Sequence, residues 1–304
     1  MTPRVAFATA PSDYLGANDT DRPHHEAAAR AAGVDLEHVV WSDPLADWSG
    51  YDLVVVRSAW DYLDHLEAFD AWLGALDGLG TLHNPAAVVR WNLDKRYLAE
   101  LSTCGVPVID TRVCDDASDV AAALRAVAGS SGEVVVKPVV SAGSRLTGRY
   151  ASGDPAAAAL ADRILAGGTA VLVQPAVASV ATEGEVAALV FGGTISHAVR
   201  KAPLLALGGG LVGGTYTERV VREDLTRGRR AVVEAASAAV ARLVADRFGV
   251  HEPLLYARID LVTLDDGSDV VLEVELAEPT FFLDAVPAAA SSFAALVARR
   301  AVTG

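Results

Sequence analysis

Three carboxylates and one arginine stand at spacings that chemistry can use. Glu273 and Glu275 interrupt the apolar run of "VLEVELAEP" at 271–279. Side chains alternate across a strand, so both project from one face. Two unit charges ~4 Å apart repel by roughly 4 kcal/mol at an effective dielectric of ~20, so the pair calls for a counter-charge. Asp260 lies thirteen residues before Glu273. The turn Asp265, Asp266, Gly267, Ser268 and Asp269 falls between them, and a hairpin would bring Asp260 and Glu273 opposite each other. Three carboxylates converging on one face suit Mg²⁺, which prefers oxygen ligands and also takes substrate phosphates. Arg258 alternates with Asp260 and would hold an anion beside the metal. The competing reading is a solvated hairpin face with scattered charges.

Two lysines and a loop extend the pattern. Lys137 ends the apolar strand "EVVVKP", where a lone charge must emerge at an edge or meet an anion. After it come Ser141, Ala142, Gly143 and Ser144, small residues whose backbone N–H groups can approach phosphate oxygens. Lys95 lies in "WNLDKRYLAELSTCG", which reads as one amphipathic helix stopped by Gly105. Taken singly, a helix lysine is a surface lysine and a small-residue loop is a turn. Neither the Gly-Lys-Ser/Thr phosphate loop nor a GxGxxG turn after the first strand is present.

The elements around these residues alternate. "RVAFATA", a helix around 24–32 ended by Gly33, "DLVVVRSAW", a helix in "HLEAFDAWLGAL" and a short strand in "TLHNP" give a small parallel-sheet α/β unit over residues 1–88. "VPVIDTRVC", "EVVVKPVV" and the segment 169–177 read as strands. "EVAALVFGGTISHAVR" is a hairpin turning at Gly192 and Gly193, a long helix spans 225–248, and a second hairpin carries the carboxylates. Arg57, Ser58, Trp60 and Asp61 follow a parallel strand at its carboxyl end, where α/β sheets place ligands. With Asn92 they are candidate substrate contacts, against a reading of Trp60 as core and Arg57 as a surface charge. His24 and His25 read as surface residues.

Composition excludes several classes. Lys plus Arg number 25 against 39 Asp plus Glu, a formal charge of -14, so no basic surface for nucleic acid is expected. Cys104 and Cys114 are too few for a disulfide framework, and a single bridge stays open as an alternative. Neither a secretory core nor an 18-residue apolar run is present, so a soluble cytoplasmic protein without a membrane partner is the expectation.

The order of helix Lys95, strand Lys137, small-residue loop, strand with Gln174 and the Arg258/Asp260/Glu273/Glu275 hairpin resembles the ATP-grasp superfamily over residues 85–285. That superfamily includes D-alanine–D-alanine ligases and bacterial glutathione synthetases. "WNLDKRYL", "VVKPVVSAGSRLTGRY", "YARIDLV" and "LEVELAEPTFFL" look more specifically like the cyclo-ligases that close O-ureido-D-serine to D-cycloserine. The resemblance implies an α/β ATP-grasp fold with a preceding parallel-sheet domain at 1–88, a central subdomain at 89–175 and a C-terminal subdomain at 176–304. It implies Lys95 and Lys137 on the ATP phosphates and Ser141 to Ser144 at the start of the phosphate loop. Gln174, Pro175 and Val177 would lie at adenine and Glu185 at ribose. Asp260, Glu273 and Glu275 would hold Mg²⁺, two ions in all, with Arg258 as the transition-state anion clamp. Arg200, with Lys201 as its competitor, matches an arginine on the acyl phosphate. Two departures stand out: Glu275 replaces the usual Asn, and Ala187 replaces an arginine of glutathione synthetases.

The implied activity is activation of a small amino-acid carboxylate by ATP, followed by attack of an internal nitrogen. An intermolecular carboxylate–amine ligase and an ATP-binding scaffold without catalysis are the alternatives. The Gly-rich stretch 207–214 would be a mobile lid, and a homodimer or homotetramer is implied by the relatives.

Overall fold

The structure is a computed structural model that describes residues 2–16, 18–127, 132–212 and 219–303. Strands β1 (Arg4–Thr9), β2 (Asp35–Val40) and β3 (Leu53–Ser58) form a parallel sheet in the order β2-β1-β3. Helices α1 (Ser12–Leu15), α2 (Arg22–Ala31) and α3 (Leu66–Asp77) connect or follow them. Alternation splits the apolar strands between two cores. Val5, Phe7, Leu53 and Val55 pack against Ala28 and Ala29 of α2. Ala6, Ala8, Val54 and Val56 pack against Phe69, Trp72, Leu73 and Leu76 of α3. A strand buried on both faces reads as a continuous apolar run, which is why this unit was visible in the sequence. "TLHNP" contributes only one parallel bridge, Val54 to Leu82. His25 is buried among Phe7, Phe281 and Phe293 and is not a surface residue.

The expected single helix around Lys95 is two: α4 (Ala86–Leu93) and α5 (Tyr97–Thr103). Asp94 between them is extended, and the Lys95 amide donates to the Val139 carbonyl at 3.0 Å. A long-range backbone bond therefore outweighs local helix periodicity at this point. Next come β4 (Arg112–Cys114), α6 (Ala117–Ala126), β5 (Glu133–Pro138), β6 (Gly148–Ala151), α7 (Pro155–Ala166) and β7 (Val171–Pro175). The four strands form an antiparallel sheet, β4-β7-β5-β6. Asp116 and Asp154 cap α6 and α7 through their side chains. Both helices cover the face that carries Val134, Val136, Val171 and Val173. By alternation Val135, Lys137 and Gln174 are left to the other face.

A five-stranded antiparallel sheet completes the chain, in the order β10-β9-β8-β11-β12. Its parts are α8 (Ala178–Glu183), β8 (Glu185–Phe191), β9 (Thr194–Lys201), β10 (Val220–Glu223), α9 (Arg227–Phe248), β11 (Tyr256–Thr263), β12 (Asp269–Glu275) and α10 (Ala288–Thr303). Val186, Ala188, Val190, Ile259, Leu261, Val271 and Val274 pack under α9, so Arg258, Asp260, Glu273 and Glu275 face away from it. Phe293 and Val297 of α10 return to cover the first sheet. Cys114 is buried and Cys104 half-buried, and the two are not bonded. Among the described residues no helix is long and apolar enough to cross a membrane.

Candidate active site

A cleft with about 200 Å³ of free space lies between the polar faces of the two antiparallel sheets. One half is apolar, walled by Ile109, Val135, Val180, Val262 and Leu272. The other half is charged. Register supplies the cause: β11 and β12 pair Arg258 with Glu275 and Asp260 with Glu273. That is the hairpin pairing read from the turn. The edge of β12 is held by buried side chains from the two helices around Lys95. Asn92 donates its amide to the Val274 carbonyl at 2.8 Å and accepts from the Leu276 N–H at 2.6 Å. The Tyr97 hydroxyl donates to the Val274 carbonyl at 2.7 Å and accepts from the Val274 N–H at 2.9 Å.

The charges alternate in sign along two chains. Glu273 accepts from Lys95 at 3.1 Å on one oxygen, and its other oxygen lies 3.7 Å from Lys137. Lys95 also donates to the Ser141 carbonyl at 2.7 Å, which ties it to the small-residue loop. In the second chain Lys201 bridges Glu185 at 2.9 Å and Asp260 at 2.6 Å. Arg258 grips Asp260 through Nε at 2.9 Å and Nη2 at 3.0 Å, and also donates to Glu275. Among the described residues no three His, Cys, Asp or Glu side chains are gathered closely enough to hold an ion by themselves. The carboxylates share a face, as the alternation of residues predicts, with cations interleaved between them.

Ionisation follows these partners. Burial pushes the Asp260 carboxyl up, but Arg258 and Lys201 outweigh it and hold it at about 2. Burial works against the ionised Glu273 too, and Lys95 and Lys137 bring its carboxyl below the ordinary value. Glu275 differs: burial, reinforced by Glu273, Asp260 and Glu278, raises it to about 8 despite Arg258. Burial also lowers the Lys137 ammonium.

Ser141, Ala142, Gly143, Ser144, Gln174, Pro175, Val177, Glu185 and Lys201 all line the cleft. Gly143 and Ser144 are both left-handed, with φ of 56° and 57°, and bend the loop under the lysines. Gln174 donates to the Thr111 hydroxyl at 2.9 Å. Of the two β9 candidates, only Lys201 faces the cleft. Arg200 is not among the lining residues; it pairs with Glu223 at 2.6 Å and donates to the Glu183 carbonyl at 3.2 Å. Adjacent residues on a strand point to opposite faces, so the two could not both reach the site.

Four proposed substrate contacts fall outside the cleft. Arg57 stacks on the Phe281 ring at 3.5 Å and lies 3.4 Å from Asp21. Ser58 donates to Asp19 at 2.6 Å, and Asp61 accepts from the Trp41 indole at 2.6 Å. Trp60 donates to the Glu278 carbonyl at 3.1 Å. The carboxyl end of β3 is roofed by the segment after β12, whose Phe281 and Leu283 amides donate to Asp21 at 2.5 and 2.8 Å. Asn92 does line the cleft, though its amide is spent on β12. The sequence reading gave no role to the apolar half or to Tyr62 and Glu278, which line the cleft beside Asn92 and Ala277. The one signal was an acid, Glu278, placed before Pro279 in an otherwise apolar stretch.

The described part of the Gly-rich segment docks on β6: Gly208 and Gly209 donate to the Arg149 carbonyl at 2.9 and 3.1 Å. Gly213 and Gly214, the end of the expected lid, lie outside the described residues.

Two antiparallel sheets closing on a cleft of lysines and carboxylates, behind a parallel-sheet unit, define an ATP-grasp ligase. The chain belongs to the family of the cycloserine biosynthesis protein DcsG of Streptomyces lavendulae. It is 39% identical to that protein over 288 residues, covering 93% of this chain and 94% of the relative. A family model described as D-cycloserine synthetase DcsG, N-terminal domain, matches residues 5–84. The crystal structure of D-cycloserine synthetase DcsG superposes with a TM-score of 0.88 at 34% identity, over 98% of this chain and 99% of that one. The fold is shared with the D-alanine–D-alanine ligase of Bacillus anthracis bound to ATP, at a TM-score of 0.66, 13% identity and coverage of 99% and 98%. It is also shared with the ATP-grasp ligase PsnB in complex with a precursor variant, Mg and ADP, at 0.61, 18% identity and coverage of 98% and 99%.

Proposed function

We propose that this chain is an ATP- and Mg²⁺-dependent cyclo-ligase that activates the carboxylate of O-ureido-D-serine and closes it to D-cycloserine. The observation that carries the reading is Glu273 held between Lys95 and Lys137 on the face that also bears Asp260, Arg258 and Glu275. In this reading Lys95 and Lys137 leave Glu273 for the ATP phosphates. Each buried ammonium exchanges one anion for another and is never left alone, which would cost several kcal/mol. Ser141 to Ser144 offer backbone N–H groups to the same phosphates. Gln174, Pro175 and Val177 hold adenine against the apolar half, and Glu185 takes the ribose.

The donor set fits Mg²⁺, since Asp260, Glu273 and Glu275 present only oxygens and leave positions for phosphate. Two ions held there would neutralise charge on the phosphoryl oxygens. Arg258 and Lys201, freed from their carboxylates, stabilise the anionic acyl phosphate. Residues 1–88, 89–175 and 176–304 then act as the substrate-side, phosphate-loop and metal-side units.

The γ-phosphoryl group moves to the substrate carboxylate, and the nitrogen bonded to the ether oxygen attacks the acyl carbon. Phosphate leaves with one carboxylate oxygen, and the carbamoyl fragment balances as isocyanic acid when its N–C bond breaks, or as carbon dioxide and ammonia if one water adds to it. A coupled ADP-release assay tests the reading. ADP should form with O-ureido-D-serine as sole amino acid and rise little on adding other amines. ADP formation that depends on a second amine would make the enzyme an intermolecular ligase instead.

A further inference from the structure

Glu278 is a buried acid in the charged half of the cleft that none of the roles above uses. Every other acid lining that half has a cation: Glu185 and Asp260 have Lys201, Glu273 has two lysines, and Glu275 has Arg258. Among the described residues Glu278 has no ion-pair partner; Tyr62 stands beside it in the cleft lining, and the charges of Lys95 and Arg258 reach it only from beyond ion-pair distance. The acid is also held in place: Trp60 fixes its carbonyl at 3.1 Å, and Pro279 follows it. A buried carboxylate without a cation is costly unless a ligand supplies one.

Its location narrows the ligand. Glu278 follows β12, at the wall of the cleft formed with Tyr62 of the N-terminal unit, and Arg258 lies within electrostatic reach. An α-amino acid carries an ammonium and a carboxylate on one carbon. Arg258 offers a cation to the carboxylate, and Glu278 offers an anion on the substrate side of it.

We propose that Glu278, with Tyr62 beside it, is the subsite for the primary ammonium group of the amino-acid substrate. It is thereby the residue that selects amino acids over plain carboxylic acids. This rests on the cyclo-ligase reading for the identity of the substrate, not for the presence of the subsite.

Calorimetry on the full chain, with Mg²⁺ and a non-hydrolysable ATP analogue, tests it. Binding of O-ureido-D-serine is compared with that of its des-amino analogue, 3-(ureidooxy)propanoate. A charge-assisted, partly buried hydrogen bond predicts that the wild type prefers the amino form by about 30-fold or more. Glu278→Gln keeps the shape and should reduce the preference to within about threefold, with affinity for the ATP analogue unchanged. Tyr62→Phe, which leaves the carboxyl in place, should lose several-fold of the preference. A wild type that binds both forms equally, or a Glu278→Gln variant that keeps the full preference, overturns the subsite. ADP release measured in parallel separates the two readings. A preference that is lost in Glu278→Gln without any ADP release would overturn the cyclo-ligase and leave the subsite standing.

Discussion

Glu273→Gln should do more than stop turnover. Glu273 holds Lys95 at 3.1 Å and Lys137 at 3.7 Å, and both lysines are buried. At an effective dielectric of ~20 each attraction is roughly 5 kcal/mol before desolvation is counted. The net loss on removing the shared partner of buried charges is about 3–5 kcal/mol. For a chain of this size that lowers Tm by roughly 5–8 °C. The two lysines, left facing each other, then bind polyanions more readily. Metal-free ATP, measured in EDTA by thermal shift and calorimetry, should stabilise the variant at least as strongly as the wild type. With Mg²⁺ present the order should reverse, because a carboxylate expected to hold the ion is gone. Unchanged Tm, or weaker binding of metal-free ATP by the variant, would refute the exchange of lysine partners between Glu273 and phosphate.

Further outcomes separate neighbouring residues. Lys201→Met should lower kcat/KM by at least about 100-fold, as expected for removal of a cation from charge developing in the transition state. Arg200→Ala, which loses contacts with Glu223 and Glu183 outside the cleft, should stay within about threefold in the same steady-state assay. Gly184 has φ 78° and ψ -156°, and a Cβ there would stand 1.8 Å from the Lys201 carbonyl oxygen. Gly184→Ala should therefore cost about 3 kcal/mol or more in urea denaturation and displace Lys201 from Asp260. Acid stability reports on the N-terminal unit, where burial depresses His38 to about 4 and His25 well below the ordinary value. The unfolded chain binds protons first, near pH 6.5, so the full contribution is present above that pH. It is lost as pH falls from 6.5 toward 4, by at most about 3 kcal/mol for His38. Denaturation midpoints across that range, compared with those of His38→Asn, measure it.

Much of the site was legible because strand alternation is a strict local rule. Given the turn at Asp265 to Asp269, the parity of Arg258, Asp260, Glu273 and Glu275 follows, and the register pairs them as read. Lys95 was harder. Helical periodicity runs through Asp94, and only the distant Val139 carbonyl breaks it. Arg57, Ser58, Trp60 and Asp61 stand where open sheets bind ligands, yet the segment around Phe281 covers that end of β3. No local pattern announces such a roof. Arg200 and Lys201 differ only in parity, which depends on where β9 begins. Glu278 needed the whole fold, because its meaning lies in the cation it lacks while every acid around it has one.

The direct test of the site is a crystal structure grown with Mg²⁺, a non-hydrolysable ATP analogue and O-ureido-D-serine. The predicted result has Asp260, Glu273 and Glu275 oxygens about 2.0–2.1 Å from Mg²⁺, Lys95 and Lys137 on the phosphates, and adenine in the half walled by Ile109 and Leu272. Nucleotide bound with both lysines still on Glu273, or metal held away from these carboxylates, would contradict it.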